Sequence, residues 1–306
     1  MSTILIGVDA SDRSEDAVAF ARRLGEASGA QLIIANAYPY SDFPRRAANA
    51  TYREALREQS LETVRAMRGH LEGLPESRSI VKITANVSPA HALHAMAEAE
   101  AASLLVVGST HTGRAGRVLP GGTGERLLHG SPCSVAVIPK GYRLHREPIR
   151  RIGVAYNHTP EAQSAVAAAT ELARALGAEL VVIGVADASA YGSPALMGGP
   201  SSPTVREDVE AHVQDSLDAL AAELPADVAA TTRCLLGDPA ELLAEQSQTV
   251  DVLVTGSRGY GPLRSVLAGG VSGQLMRSAH CPVIIVPRGV ETAFGRLFGD
   301  VTAAAS

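Results

Sequence analysis

The sequence repeats itself at a fixed distance. AVAFARRLGEASGAQLII beginning at Ala17 returns as AVAAATELARALGAELVV beginning at Ala165, 148 residues later. LLVVGS ending at Ser109 returns as VLVTGS ending at Ser257, and CSVAVIPKG from Cys133 returns as CPVIIVPRG from Cys281, both at that same spacing. VSPAHAL and GDPAELL stand 150 apart, so a two-residue indel lies between the blocks. Correspondence along the whole of a unit means a duplicated domain. The expected units are residues 1–141 and 149–289, with GYRLHREPIR (141–150) as the linker and a tail, 290–306, that has no counterpart. At roughly 150 residues per domain, the 306 residues hold two. Each unit is long enough to bury a core without disulfides or metals.

Within each unit short apolar runs alternate with helical stretches. ILIGVD, QLIIANA, SIVKITA, SLLVVGS and SVAVIP have strand length and strand composition. Ala17, Ala21 and Leu24 recur at helical spacing, as do Ala165, Ala169 and Leu172. Thr159-Pro160-Glu161 is a helix start: a hydroxyl cap, a proline in the first turn and an acid near the positive end of the dipole. Ser11 takes the matching place in the first unit. Strands apolar on both faces, alternating with helices, predict a doubly wound α/β fold with a five-stranded parallel sheet in each half. The apolar final strands CSVAVIP and CPVIIVP need cover, and pairing with each other around a pseudo-twofold axis would supply it. In the tail Phe294, Leu297, Phe298 and Val301 fall at helical spacing, so it either docks as a short helix or frays.

Composition narrows the functional classes. A net charge of −5 and a pI near 6.0 provide no general attraction to phosphate backbones, which argues against a nucleic-acid binder. No apolar run reaches the length of a membrane span, and MSTILIGVDAS reads as a first strand and not as a signal peptide. Cys133, Cys234 and Cys281 have no metal-ligand spacing and predict buried, reduced thiols in a cytoplasmic protein, with redox sensing the alternative for Cys133 and Cys281. His91 and His94 lack a third ligand at fixed spacing, and a helix surface accounts for them. No nucleophile elbow, Ser–His–acid spacing or metal cluster emerges, so no catalytic residue is assigned.

Doubly wound sheets bind ligands beyond the carboxyl ends of their strands, where the strand order reverses. For an order 3-2-1-4-5 that crevice lies between strands one and four. After strand four the second unit reads Gly256-Ser257-Arg258-Gly259, then nine residues, then Gly269-Gly270-Val271-Ser272 at the start of the last helix. Glycines admit phosphate close to the backbone, the helix start offers unpaired N–H groups, and Ser272 adds a hydroxyl. No Gly-Lys-Ser/Thr follows, so this is not a Walker loop, and no GxGxxG follows the first strand. A turn with no ligand is the alternative.

GSRGYGPLRSVLAGGVS resembles the nucleotide motif of the universal stress protein family: Gly, two residues, Gly, nine residues, Gly, then Ser or Thr. With the first-strand acid and the closing CPVIIVP strand, the resemblance covers nearly the whole chain in both halves. It implies tandem Rossmann-like, adenine nucleotide alpha hydrolase-like domains that bind ATP or AMP, with or without Mg²⁺, and act as a stress-response signalling or holding module. It implies also a homodimer or an intramolecular pseudo-dimer. In that family an acid after strand one and the residue ending strand two flank the adenosine; these are Asp9 with Ala37, and Asn157 with Val185. The residue before the glycine loop, Val107 or Thr255, borders the base. Both halves depart from the motif. The first reads Gly108-Ser109-Thr110-His111-Thr112-Gly113, with His111 for the second glycine, and Gly121-Gly122-Thr123-Gly124 at the helix start. The second keeps Gly256, Gly259, Gly269 and Gly270 but has Asn157 for the acid, with Ser272 two positions beyond the expected hydroxyl residue.

From the residues alone, Asp9 and Asn157 fit either a ligand contact or an Asx turn. Arg114, Arg117, Arg126, Arg258 and Arg264 are either solvated charges or phosphate partners. Three functions compete: a nucleotide-responsive binding protein, an interaction protein without nucleotide, and an enzyme of a related nucleotide-binding fold. The last lacks an HxGH-like or SGGxDS-like signature, which leaves weak ATP hydrolysis at most.

Overall fold

The computed structural model describes residues 2–40, 50–109, 126–127, 131–145, 147–187, 203–257, 270–287, 294–295 and 297–298. The first half contains β1 (Thr3–Gly7), α1 (Asp12–Ser28), β2 (Gln31–Tyr38), α2 (Ala50–Gly69), β3 (Ser79–Ala85), α3 (Pro89–Ala99), β4 (Leu104–Gly108) and β5 (Ser134–Ile138). The second contains β6 (Arg151–Tyr156), α4 (Pro160–Leu176), β7 (Glu179–Ala186), α5 (Pro203–Glu223), β8 (Ala230–Leu236), α6 (Pro239–Gln246), β9 (Val252–Ser257), α7 (Val271–Ser278) and β10 (Val283–Pro287).

Helix boundaries follow local chemistry. Thr159 caps α4 by accepting from Ala162 N–H at 3.3 Å, Pro160 opens it, and Gly177 ends it in the left-handed conformation (φ 61°). Asp238 caps α6 by accepting from Ala240 and Glu241 N–H. Ser11 stands at the same place before α1 as Thr159 does before α4, but its hydroxyl makes no cap bond and turns to Asp9 instead.

The strands join into one sheet of order β3-β2-β1-β4-β5-β10-β9-β6-β7-β8. Each half is parallel in the order expected from the crossover pattern, and the halves meet through the antiparallel pair β5–β10. The register of that pair carries the symmetry of the molecule. Ala136 faces Ile284, its own counterpart 148 residues on, while Val135 faces Ile285 and Val137 faces Val283. Counterparts exchange partners about that central pair, as a two-fold axis through it requires. Two apolar edges are thereby hidden at once.

Alternation along the strands divides the core. Ile4, Ile6, Leu104, Val106, Ile152, Val154, Val252 and Val254 face α1 and α4 in one cluster that runs through both halves. On the opposite face Leu5, Leu105 and Val135 pack with α3, and Val181, Leu253 and Cys281 with α6 and α7. Helices therefore cover both faces, as a doubly wound sheet demands.

The linker and the tail both enter the shared cluster. Tyr142 packs edge-on against Phe20 at 5.4 Å between ring centroids. Asp16, fully buried, accepts from Gly141 N–H at 2.8 Å, Arg143 N–H at 2.9 Å and the Arg143 guanidinium at 3.3 Å. In the tail Phe294, Leu297 and Phe298 are buried, so of the two expectations docking holds for these residues; Val301 lies outside the described residues.

Candidate functional site

In the second half the polypeptide leaves β6 toward α4 on one face of the sheet and leaves the adjacent β9 toward α7 on the other. A cavity of about 860 Å³ opens where the two paths diverge. Its lining includes Asn157 after β6, Val185 on β7, Thr255 and Gly256 on β9, and Gly270, Val271 and Ser272 at the start of α7. The structure thus brings together around one hollow second-half residues that the glycine spacing and the family resemblance singled out. Gly259 and Gly269 lie outside the described residues.

The two described glycines of this set do different work. A Cβ on Gly256 would stand 2.3 Å from the Glu161 carbonyl oxygen, because the first turn of α4 crosses the end of β9 in backbone contact. Gly108 repeats the arrangement, 2.4 Å from the Arg13 carbonyl oxygen. Close helix–strand packing is therefore sufficient reason for glycine at both strand ends. Gly270 differs: no described atom lies within 4 Å of its Cβ position, and its φ of −77° suits any residue. Among the described residues no side chain caps α7, and the N–H groups of its first turn have no helical partner, so the dipole favours an anion there. Ser272 donates its hydroxyl proton to the Gly256 carbonyl at 3.2 Å, tying α7 to the end of β9 and leaving its oxygen lone pairs available.

The acid position also resolves. Asp9 Oδ1 accepts from Ser11 N–H (2.9 Å), from the Ser11 hydroxyl and from the Ser14 hydroxyl (2.9 Å). This is the Asx turn of the earlier alternatives. Partial desolvation pushes the carboxyl up, but the Ser11 and Ser14 bonds and nearby Arg13 outweigh it and hold Asp9 below the usual carboxylate range. Among the described residues Oδ2 makes no hydrogen bond, which leaves that oxygen open to a ligand. Asn157 Oδ1 accepts from the Thr159 hydroxyl at 2.8 Å in the equivalent turn.

In the first half Asp9, Ala37, Val107 and Gly108 stand at the corresponding strand ends. His111, Gly113, Gly121, Gly122, Thr123 and Gly124 lie outside the described residues, as do Arg114, Arg117, Arg258 and Arg264. Arg126 is exposed. His94 Nε2 lies 2.7 Å from the Leu127 carbonyl oxygen and His91 is exposed. Among the described residues no three His, Cys, Asp or Glu gather as a metal site. Cys133 and Cys281 are buried; burial pushes both thiols up, Cys133 to about 12, which makes them inert packing groups.

The wall contributed by α5 was not visible in the sequence. Val209, His212, Val213 and Ser216 share one face of that helix and line the cavity opposite the strand ends, joined by His158 beside Asn157. Helical spacing was the available signal. It lacked an anchor because the segment before α5 has no alignable counterpart.

The sequence model of the Universal stress protein family matches residues 1–139 and again 148–287. A universal stress protein of Mycobacterium tuberculosis is 30% identical over 188 residues, covering 61% of this chain and 64% of its own length. The match thus spans less than two thirds of that relative. One of Mycolicibacterium smegmatis is 27% identical over 293 residues, covering 92% of this chain and 96% of its own. The fold is similar to a universal stress protein from Archaeoglobus fulgidus, with TM-score 0.70 and 18% identity over 94% of this chain and 98% of that one. It is also similar to a structure described as a putative universal stress protein from Pseudomonas aeruginosa, with TM-score 0.61 and 16% identity over 98% of each. With two family matches laid over two halves of one symmetric sheet, the chain belongs to the universal stress protein family.

Proposed function

We propose that the chain is a cytoplasmic, ATP- or AMP-binding regulatory module of the stress response, and that its second half holds the nucleotide in the cavity between β6 and β9. One observation carries this reading. Residues from four separate element ends (Asn157, Val185, Thr255 and Gly270 with Ser272) converge on a hollow with an uncapped helix N-terminus at its side. Ile183, Val185, Val213 and Leu243 supply apolar walls for a base, and the α7 N-terminus supplies N–H donors for phosphate. Cavity volume fits too: about 860 Å³ is within the roughly 300–1,000 Å³ usual for small-molecule sites.

The first half is proposed as a second site, using Asp9 Oδ2, Ala37 and Val107. A magnesium ion would find a carboxylate at Asp9 and only an amide at Asn157, so any metal-assisted binding belongs to the first half. Occupancy acts by changing the surface offered to partners, and chain-internal β5–β10 pairing makes the molecule a pseudo-dimer. Three free cysteines support a reducing compartment. The test is to denature the purified full chain and identify released small molecules by chromatography, followed by calorimetric titration of the ligand-free protein. Released or titratable adenine nucleotide is the expected result. A chain that releases none and binds neither ATP nor AMP at millimolar concentration is an interaction protein instead.

A further inference from the structure

His158 is held in an uncommon way. Its φ is +57°, a left-handed conformation that side chains other than glycine adopt at a cost. Ala10, its counterpart 148 residues earlier, has no such conformation. Side chains from two elements meet its ring. His158 Nδ1 lies 3.1 Å from the Tyr156 hydroxyl at the end of β6 and 3.1 Å from the Ser216 hydroxyl on α5. The Tyr156 ring meets the imidazole edge-to-face, with 84° between planes.

The network bears on which ring nitrogen carries the proton. Tyr156 is buried, and His158 Nδ1 is its hydroxyl's hydrogen-bond partner. Each hydroxyl can donate to or accept from Nδ1; with the Tyr156 hydroxyl donating, Nδ1 is the accepting nitrogen and the ring proton sits on Nε2. Among the described residues Nε2 makes no hydrogen bond, and His158 lines the cavity beside Asn157 and Val185. A single N–H donor is a poor match for a phosphate, which the α7 start serves better. It suits the ring nitrogen of a planar base lying against Val185, Val209 and Val213.

We propose that His158 Nε2–H is a fixed hydrogen-bond donor to an adenine ring nitrogen, making His158 a specificity-determining residue that the first half, with Ala10, does not have. The inference rests on adenine-nucleotide binding in the second half. Its experiment is calorimetric titration of the full chain with AMP and with 1-deaza-, 3-deaza- and 7-deaza-AMP, each of which lacks one ring acceptor. One of the three should bind the second site of the unaltered protein about tenfold more weakly than AMP, the effect of one neutral hydrogen bond. In His158→Ala, checked for an unchanged melting transition, AMP should weaken by that same factor, and the selected deaza analogue should bind as AMP does. His158→Gln, which retains an N–H donor, should recover part of the loss. Equal affinities for AMP in the unaltered protein and His158→Ala overturn the inference, as does a deaza penalty that persists in His158→Ala. If the unaltered protein binds no AMP or ATP, the proposed function fails, and this inference with it.

Discussion

The two halves share strand order, crossover pattern and core alternation, yet they build the wall beside strand two differently. In the first half Asn36 on β2 donates to the Val8 carbonyl at 2.6 Å and accepts from the buried Ser60 hydroxyl of α2 at 2.6 Å. In the second half Gly184 occupies that position on β7, and a Cβ there would lie 2.8 Å from Val213 of α5. One half locks its helix to the strand with a polar pair; the other lets the helix approach a bare backbone. In the second half Tyr156, His158 and Ser216 supply the polar link instead. The frame and the site are thus set by separate residues. Strand alternation and the β5–β10 register dictate the frame, while the helix following strand two sets how one wall of the hollow is lined.

Different exits from the final strands offer the largest effect. Beyond β10, Phe298 is buried against Phe294 with ring centroids 5.7 Å apart, whereas beyond β5 Leu144 is 75% exposed. Phe298→Ala should cost about 3–5 kcal/mol in denaturant unfolding, and Leu144→Ala should stay within about 0.5. Equal effects would mean that the tail is not part of the core.

Next comes the linker tie at Asp16. Asp16 gathers Gly141 and Arg143, while its counterpart is Ser164. Asp16→Asn should cost about 1.5–3 kcal/mol, measured the same way.

Gly108→Ala and Gly256→Ala should each cost about 1–3 kcal/mol, because each Cβ meets the backbone of the first helical turn. Here the halves should agree, and a harmless substitution at either strand end would refute the packing role.

Smallest is the titration of Asp9. Its folded-state carboxyl is held below the ordinary value, so its stabilisation is present above the unfolded pKa of about 3.9 and is lost as pH falls through the folded value. Acid unfolding of Asp9→Asn should show a shallower dependence below about pH 4 than the unaltered chain. Asn157 supplies no such term in the second half.

Much of this frame was legible because a duplication prints its own alignment. Five apolar runs per unit indicated the strand count, and the apolar character of CSVAVIP and CPVIIVP supplied the reason for those two strands to pair. Around the cavity, Gly270 and Ser272 were legible from the glycine spacing at the start of the last helix, while Asn157, Val185 and Thr255 came from the family resemblance. Gly256 was read as a phosphate glycine, and its contact with Glu161 could not be seen because it depends on how steeply α4 crosses the sheet. His158 and Ser216 went unread for a related reason. Their meeting depends on the register of α5, which follows a segment with no alignable counterpart, and on a left-handed backbone that histidine does not advertise.

The most direct test of nucleotide binding in the second half is Gly270→Leu in the full chain. Its Cβ position has no described atom within 4 Å and its φ is ordinary, so the fold should be indifferent, while the side chain would enter the space next to the α7 N–H groups. Titration with ATP and AMP should show affinity at the second site falling at least tenfold with the melting transition unchanged. Undiminished affinity at both sites would contradict the account.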